Sequence, residues 1–330
     1  MLKKSDRENN TVLQLYHGYG HRHDMVIFGH VFKKRANTDQ LYSKNIFKNV
    51  KYLIRLFLLK PYPSVQVLLD FNGQKVQATT EVDGFFKLEW ESIADIEAGL
   101  HSVQVIVQDA VGTTLSQGEG YVYVPHITQY GIISDIDDTV MVSHSSKIGK
   151  RLRELFIKNP RTRKTFPGVI EHYHLLSLAK TTPDQLNPFF YVSSSEWNLY
   201  DYLKETFRFN KLPEGAFLLN SIKKLKNFLK TGKTGHEGKL LRVMRILKVF
   251  PNQRFIFFGD NSQQDPAIYA TIAEKYSKNM AAVYIRNVRK SRAAETEQIL
   301  LKIQEKGIPV CFFKNSKEAI QHSKSIGLID

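Results

Sequence analysis

Up to about residue 125, apolar positions recur at every second residue in short runs. Met25–Phe32, Ser64–Phe71, Lys75–Thr80, Phe85–Trp90 and His101–Gln108 alternate apolar with polar side chains and end in turn residues. That period predicts half-buried strands. Phe71-Asn72-Gly73-Gln74 and Val82-Asp83-Gly84 supply turn chemistry, because Asn, Asp and Gly tolerate positive φ. Short strands joined in this way predict a small all-β, antiparallel sandwich over residues 1–125. One stretch breaks the pattern. In Lys44–Lys60, residues Ile46, Phe47, Val50, Leu53, Ile54, Phe57 and Leu58 recur at helical spacing, which predicts a basic helical insertion.

Past Pro125 the texture changes to continuous apolar runs separated by amphipathic stretches. Buried strands are expected at Gly131–Ile133, Phe189–Val192, Ala216–Leu219, Phe255–Phe258, Ala281–Ile285 and Pro309–Phe313. Helices are expected at Gly168–Ala179, Leu199–Thr206, Lys239–Val249 and Ala267–Tyr276. Strands alternating with helices predict an α/β domain over 126–330, with a parallel sheet covered on both faces. Ligands bind such sheets at the carboxyl ends of the strands, so the polar residues after each strand are the candidates for chemistry.

The first strand runs into Ser134-Asp135-Ile136-Asp137-Asp138-Thr139. Two carboxylates two residues apart suit phosphoryl transfer: one attacks phosphorus and the other handles the leaving-group proton. A carboxylate-rich loop or a helix cap has the same local pattern. The second strand ends in Ser193-Ser194-Ser195, whose hydroxyls suit a phosphoryl oxygen but are also common turn residues. The fourth is followed by Gly259-Asp260-Asn261-Ser262-Gln263-Gln264-Asp265. Its two carboxylates, in a glycine-led loop, suit a hard cation such as Mg2+, which needs few protein carboxylates. Lys239, placed at the start of an amphipathic helix, suits neutralisation of nucleophile and phosphate, although surface lysines crowd that segment.

The order of these four signals resembles the haloacid-dehalogenase-like phosphohydrolases. The resemblance implies a Rossmannoid parallel sheet in which Asp135 is the nucleophile and Asp137 the general acid/base. It also implies that Ser193 binds phosphate, with Thr139 and Ser194 as further hydroxyls there, and that Lys239 neutralises charge. Asp260 and Asp265 would form the acidic metal motif for Mg2+, with Asp260 the direct ligand, joined by the Asp135 carboxylate and the main-chain carbonyl of Asp137. A narrower resemblance rests on Ile133–Thr139, Phe166-Pro167-Gly168, Phe190–Trp197 with Asn198-Leu199-Tyr200, Gly259–Pro266 with Tyr269, and Tyr284-Ile285-Arg286. These segments, with Gly18-Tyr19-Gly20 and Gly29-His30-Val31 upstream, are similar to the phosphatidate phosphatase family typified by the yeast actin-patch enzyme. The chain departs from that family's pattern at Glu196, where proline is usual, and at Gly238, where histidine is usual. It departs again at Leu219-Asn220-Ser221, in place of a Leu-Arg-Asp-like stretch, and at Asn261-Ser262, in place of Ser-Gly. The missing arginine bears on head-group recognition.

Composition narrows the functional classes. The 330 residues are 42% hydrophobic and 24% charged, as in soluble globular proteins, and the single cysteine allows no internal disulfide. Neither a signal peptide nor a membrane-spanning run is recognised, so the expected place is the cytoplasm, with any membrane contact peripheral. Net charge is +15, which favours anionic partners. Lys147–Lys164 holds eight basic residues and one acidic, Lys223–Lys248 nine and one, and Lys44–Lys60 five and none. No nucleic-acid motif accompanies this charge. The leading expectation is a Mg2+-dependent phosphomonoester hydrolase that forms an aspartyl phosphate and takes phosphatidate to diacylglycerol and phosphate. The apparent lack of a large cap between the first two catalytic strands would admit such a bulky, membrane-embedded substrate. The alternatives are a phosphatase of a soluble or protein-borne phosphate, and a non-enzymatic membrane- or anion-binding module on the same fold.

Overall fold

The computed structural model describes residues 11–34, 45–143, 154–155, 158–222 and 235–330. Two compact units emerge: Met1–Leu41 with Ile54–His126 and Ser221–Leu225, and Tyr42–Leu53 with Ile127–Asn220 and Lys226–Asp330.

Among the described residues the first unit is built of nine strands. Its strands are β1 (Val12–Leu15), β2 (Gly18–His21), β3 (Asp24–Lys34), β4 (Lys60–Pro61), β5 (Gln66–Phe71), β6 (Gln74–Thr79), β7 (Phe85–Trp90), β8 (Gly99–Gln108) and β9 (Thr114–Val124). They form one hydrogen-bonded network in the order β1-β3-β2-β9-β8-β5-β6, with β4 and β7 also pairing β3. Pairing is antiparallel except between β2 and β9, which run parallel, so the wholly antiparallel expectation is corrected there. Alternation sets the core: Val67, Leu69 and Phe71 of β5, Phe86, Leu88 and Trp90 of β7, and Val103, Val105 and Val107 of β8 are all buried together. Each such side chain contributes about 1.5–3 kcal/mol by leaving water. The turn between β5 and β6 forms at Asn72 and Gly73, with φ of 51° and 79°. In β9, Gly118 and Gly120 interrupt the apolar alternation, and eleven residues of strand form there through pairing with β8.

The basic helix is α1 (Ile46–Leu56), with Asn45 at its start accepting from the amide of Phe47 at 2.9 Å. Its apolar residues divide. Tyr52, Leu53, Leu56 and the following Phe57 are buried, whereas Ile46 and Phe47 are exposed. Leu53 and Phe57 are therefore core residues.

The second unit is a six-stranded parallel sheet in the order β12-β11-β10-β13-β14-β15. The strands are β10 (Tyr130–Ser134), β11 (Phe189–Glu196), β12 (Gly215–Asn220), β13 (Arg254–Asp260), β14 (Met280–Arg286) and β15 (Val310–Phe313). Helices α2 (Val169–Ser177), α3 (Tyr200–Phe209), α4 (Gly235–Val249), α5 (Asp265–Tyr276), α6 (Ala293–Gln304) and α7 (Ser316–Ser325) separate or follow them. All five residues of β10 and all seven of β14 are buried, as expected of strands covered on both faces. The molecule is thus mixed α/β, a parallel sheet preceded in the chain by an all-β region. β10 lies between β11 and β13, with Ser134 opposite both Tyr191 and Phe258. The Asp135 amide continues that pairing by donating to the Phe258 carbonyl at 2.9 Å. Parts of the Lys147–Lys164 and Lys223–Lys248 runs, and Lys44, lie outside the described residues. No helix among the described residues is long and apolar enough to cross a membrane.

Candidate active site

The site is built where β10, β11 and β13 end. After Ser134 the chain turns tightly. Asp138 adopts φ 64°, its amide donates to the Met141 carbonyl at 2.8 Å, and its carboxylate accepts from the Ser143 amide at 3.0 Å. Below the turn, the Ser134 hydroxyl donates to the Asp135 carbonyl at 2.6 Å and meets the Tyr173 hydroxyl at 2.7 Å. These bonds fix the backbone that carries Asp135.

Asp135 is fully buried, and its Oδ1 lies 2.8 Å from Lys239 Nζ. Its Oδ2 accepts from the Thr139 hydroxyl at 3.3 Å. Lys239 stands one turn into α4, not at its first residue, and also bonds the Asp265 carboxylate. The other Asp265 oxygen accepts from the Asp260 amide at 3.2 Å. Gly259 permits this approach: a Cβ there would meet Asp265 Cβ at 2.6 Å. Carboxylate oxygens of Asp135, Asp260 and Asp265 lie within 4.8 Å of one another.

Three buried carboxylates thus face one buried lysine. Burial pushes the Asp135 carboxyl up to about 8; Lys239 opposes this, while Asp265 and Asp137 add to it. Burial, then Asp265 and Asp135, hold the Asp260 carboxyl well above the carboxylate range. Burial works against the Lys239 ammonium, but Asp135 and Asp265 hold it above its ordinary value. The cluster is short of positive charge. Asp260 Oδ2 is in addition buried without a hydrogen-bond partner. A hard divalent cation bound by oxygen fits both features. Asp135 and Asp260 offer the direct contacts. Asp265 is occupied on both oxygens, which suits orienting Lys239 and the Asp260 backbone.

The Asp137 carboxylate does not join this cluster. Its Oδ2 accepts from the Ser195 hydroxyl at 2.9 Å, and its Oδ1 lies 3.7 Å from the buried guanidinium of Arg163. Ser193 is buried, and its hydroxyl accepts from the Ser195 amide at 3.0 Å. Ser194 Oγ is buried without a partner. The structure therefore brings Asp135, Thr139, Lys239, Asp260 and Asp265 together, sets Asp137 beside Ser195, and holds Ser193 and Ser194 on the end of β11.

Sequence reading missed Arg163, Tyr173 and Arg242 as neighbours of the site. Arg242 was detectable in principle: it follows Lys239 by three residues on one helix and so shares its face. Nothing local marks Arg163 or Tyr173, whose roles depend on contacts made across the chain.

Residues 130–287 match the family model described as phosphatidate phosphatase APP1, catalytic domain. Phosphatidate phosphatase APP1 of Saccharomyces cerevisiae is 33% identical over 168 residues, which cover 49% of this chain and 27% of that protein. An uncharacterized protein of Schizosaccharomyces pombe is 23% identical over 241 residues, covering 72% of this chain and 38% of its own. The chain therefore spans well under half the length of both relatives. Among solved structures, a bacterial immunoglobulin-like domain of the M. primoryensis ice-binding adhesin is 12% identical, covers 35% of this chain and 94% of its own, and has a TM-score of 0.20, too low to carry an argument. Residues 130–287 are thus similar to the phosphatidate phosphatase APP1 catalytic domain.

Proposed function

We propose that this protein is a Mg2+-dependent phosphomonoester hydrolase of the haloacid-dehalogenase type, acting on phosphatidate. The observation that carries the reading is the buried cluster of Asp135, Asp260, Asp265 and Lys239, with Asp137 beside it on the same turn. We assign 126–330 as the catalytic domain, without a large cap, and 1–125 as an accessory β-sandwich-like domain.

In the first step an Asp135 carboxylate oxygen forms a bond to phosphorus. The ester P–O bond breaks, and the leaving oxygen takes a proton from Asp137. In the second step water gives a proton to Asp137 and attacks phosphorus. The bond to Asp135 breaks and inorganic phosphate leaves. Ser195 and Arg163 orient the Asp137 carboxylate for both transfers. Lys239 holds Asp135 and offsets its charge, and Ser193 and Ser194 bind phosphoryl oxygens, with Thr139 steadying the nucleophile. When bound, Mg2+ supplies positive charge to the phosphoryl oxygens, held by Asp135, Asp260 and the Asp137 carbonyl, with Asp265 behind them.

Phosphatidate lies in a bilayer, so the enzyme works as a peripheral protein from the cytoplasm. Exposed Phe47, Lys48 and Lys51 on α1 are the described residues suited to an anionic surface. The test sets phosphatidate in vesicles beside a soluble aryl phosphate, each with Mg2+ and with a chelator. Mg2+-dependent release of phosphate from vesicles is expected, with turnover lost on chelation. Turnover of the aryl phosphate alone would favour the soluble-substrate alternative, and turnover of neither would favour a binding module.

A further inference from the structure

β11 pairs with β12 through Val192 opposite Leu218, and again at Glu196 opposite Asn220, but the register shifts between them. Ser193, Ser194 and Ser195 occupy this irregularity. A bulge leaves main-chain groups outside the ladder, and each needs another partner. Two of them find side chains. Arg242 Nη2 donates to the Ser193 carbonyl at 3.1 Å, and Asn220 Nδ2 donates to the Ser194 carbonyl at 3.2 Å. Arg242 Nη1 joins the two by donating to Asn220 Oδ1 at 2.9 Å.

The surroundings of Arg242 are unusual for a half-buried guanidinium. Among the described residues no carboxylate pairs with it, and its Nε has no hydrogen-bond partner. Burial, with nothing set against it, draws its pKa down to about 10. A cation partly withdrawn from water with no acid beside it carries a cost that a nearby anion would offset. Space is also reserved for it: a Cβ on Gly238 would come within 3.1 Å of Arg242 Nη1 and 3.4 Å of Asn220 Oδ1.

We propose that Arg242 is a positioning residue for phosphate binding, holding with Asn220 the carbonyls of Ser193 and Ser194 so that the opposite side of the bulge faces the phosphoryl group. This rests on the hydrolase reading above. A trans peptide points its N–H away from its C=O. With the Ser193 carbonyl held by Arg242, the Ser194 N–H points the other way. Ser193 Oγ already accepts from the Ser195 amide, which leaves its own proton to donate. Ser193 O–H and Ser194 N–H are then two fixed donors for one anion, and the Arg242 charge strengthens the Ser194 N–H through the peptide it polarises.

The test compares wild type with Arg242→Gln, Arg242→Lys and Asn220→Ala. The readouts are melting temperature, affinity for inorganic phosphate in the presence of Mg2+, and hydrogen exchange of the peptide spanning 190–197. Arg242→Gln is expected to bind phosphate about 10- to 100-fold more weakly, the worth of a charge-assisted hydrogen bond. The amides of the bulge should exchange faster at unchanged melting temperature. Arg242→Lys recovers only part of the affinity, because a lysine is a point charge and not a fork. Asn220→Ala shows a smaller loss with the same exchange signature, and it carries the test should Arg242→Gln fail to fold. Unchanged phosphate affinity in folded variants would overturn the proposal. So would weaker phosphate binding with unchanged exchange, which would make Arg242 a direct contact. Wild-type protein that neither binds phosphate nor hydrolyses a phosphomonoester would remove the hydrolase reading and this inference together, whereas an active wild type with indifferent variants removes this inference alone.

Discussion

The all-β region and the parallel sheet bury different things. In the first, burial follows every second residue, and the buried polar groups among the described residues are His30, Thr80 and Ser92. Burial holds His30 below its usual pKa, so it stays uncharged at neutral pH. In the second, Asp135, Asp260, Asp265 and Lys239 are buried as a group. Charge taken out of water destabilises a fold unless it is paired, and this group has three acids to one base. The comparison separates residues that serve stability from residues for which we propose a role in a reaction.

Substitutions test that separation. Asp135→Asn is expected to abolish turnover of any phosphomonoester, because an amide forms no acyl phosphate, while circular dichroism and gel filtration match wild type. Residual activity in protein free of contaminating phosphatase would refute the covalent step. Asp137→Asn should slow turnover by about 10²–10⁴-fold, the usual worth of a positioned acid/base, read as kcat on an aryl phosphate. In the all-β region, Leu69→Ala should cost about 2–5 kcal/mol in denaturant unfolding of that region and leave kcat/KM on the soluble substrate unchanged. A large kinetic defect in Leu69→Ala would erase the distinction between the two regions.

Much of this was legible along the chain because the informative patterns are local. The strand at 130–134 is a continuous apolar run, and Asp135 and Asp137 follow it directly. The same holds for β13 and Asp260. Features that depend on pairing were not legible. The parallel match of β2 to β9 leaves no local trace, and the glycines of β9 mask its strand pattern. Arg163 and Arg242 belong to segments crowded with basic residues, and composition does not say which cation turns toward the site. Only helix phase distinguishes Lys239 and Arg242 from their neighbours. For α1 the helical period was legible, and so was docking of its apolar face on the protein, since Leu53 and Phe57 are buried and only the alternative that they enter a membrane interface fails.

The central position of β10 has a bearing on how the protein is made. The ribosome delivers Asp135 early, whereas β13, its hydrogen-bonding neighbour, and Asp260 emerge only after β11, β12 and α4. Contacts so distant in sequence form late and slow the folding of a parallel sheet. Until β13 docks, one edge of β10 remains unpaired and its apolar residues are exposed to aggregation. A nascent chain halted before β13 therefore carries Asp135 without Asp260 and Asp265, and the arrival of β13 and α5 sets the moment at which the proposed site can assemble.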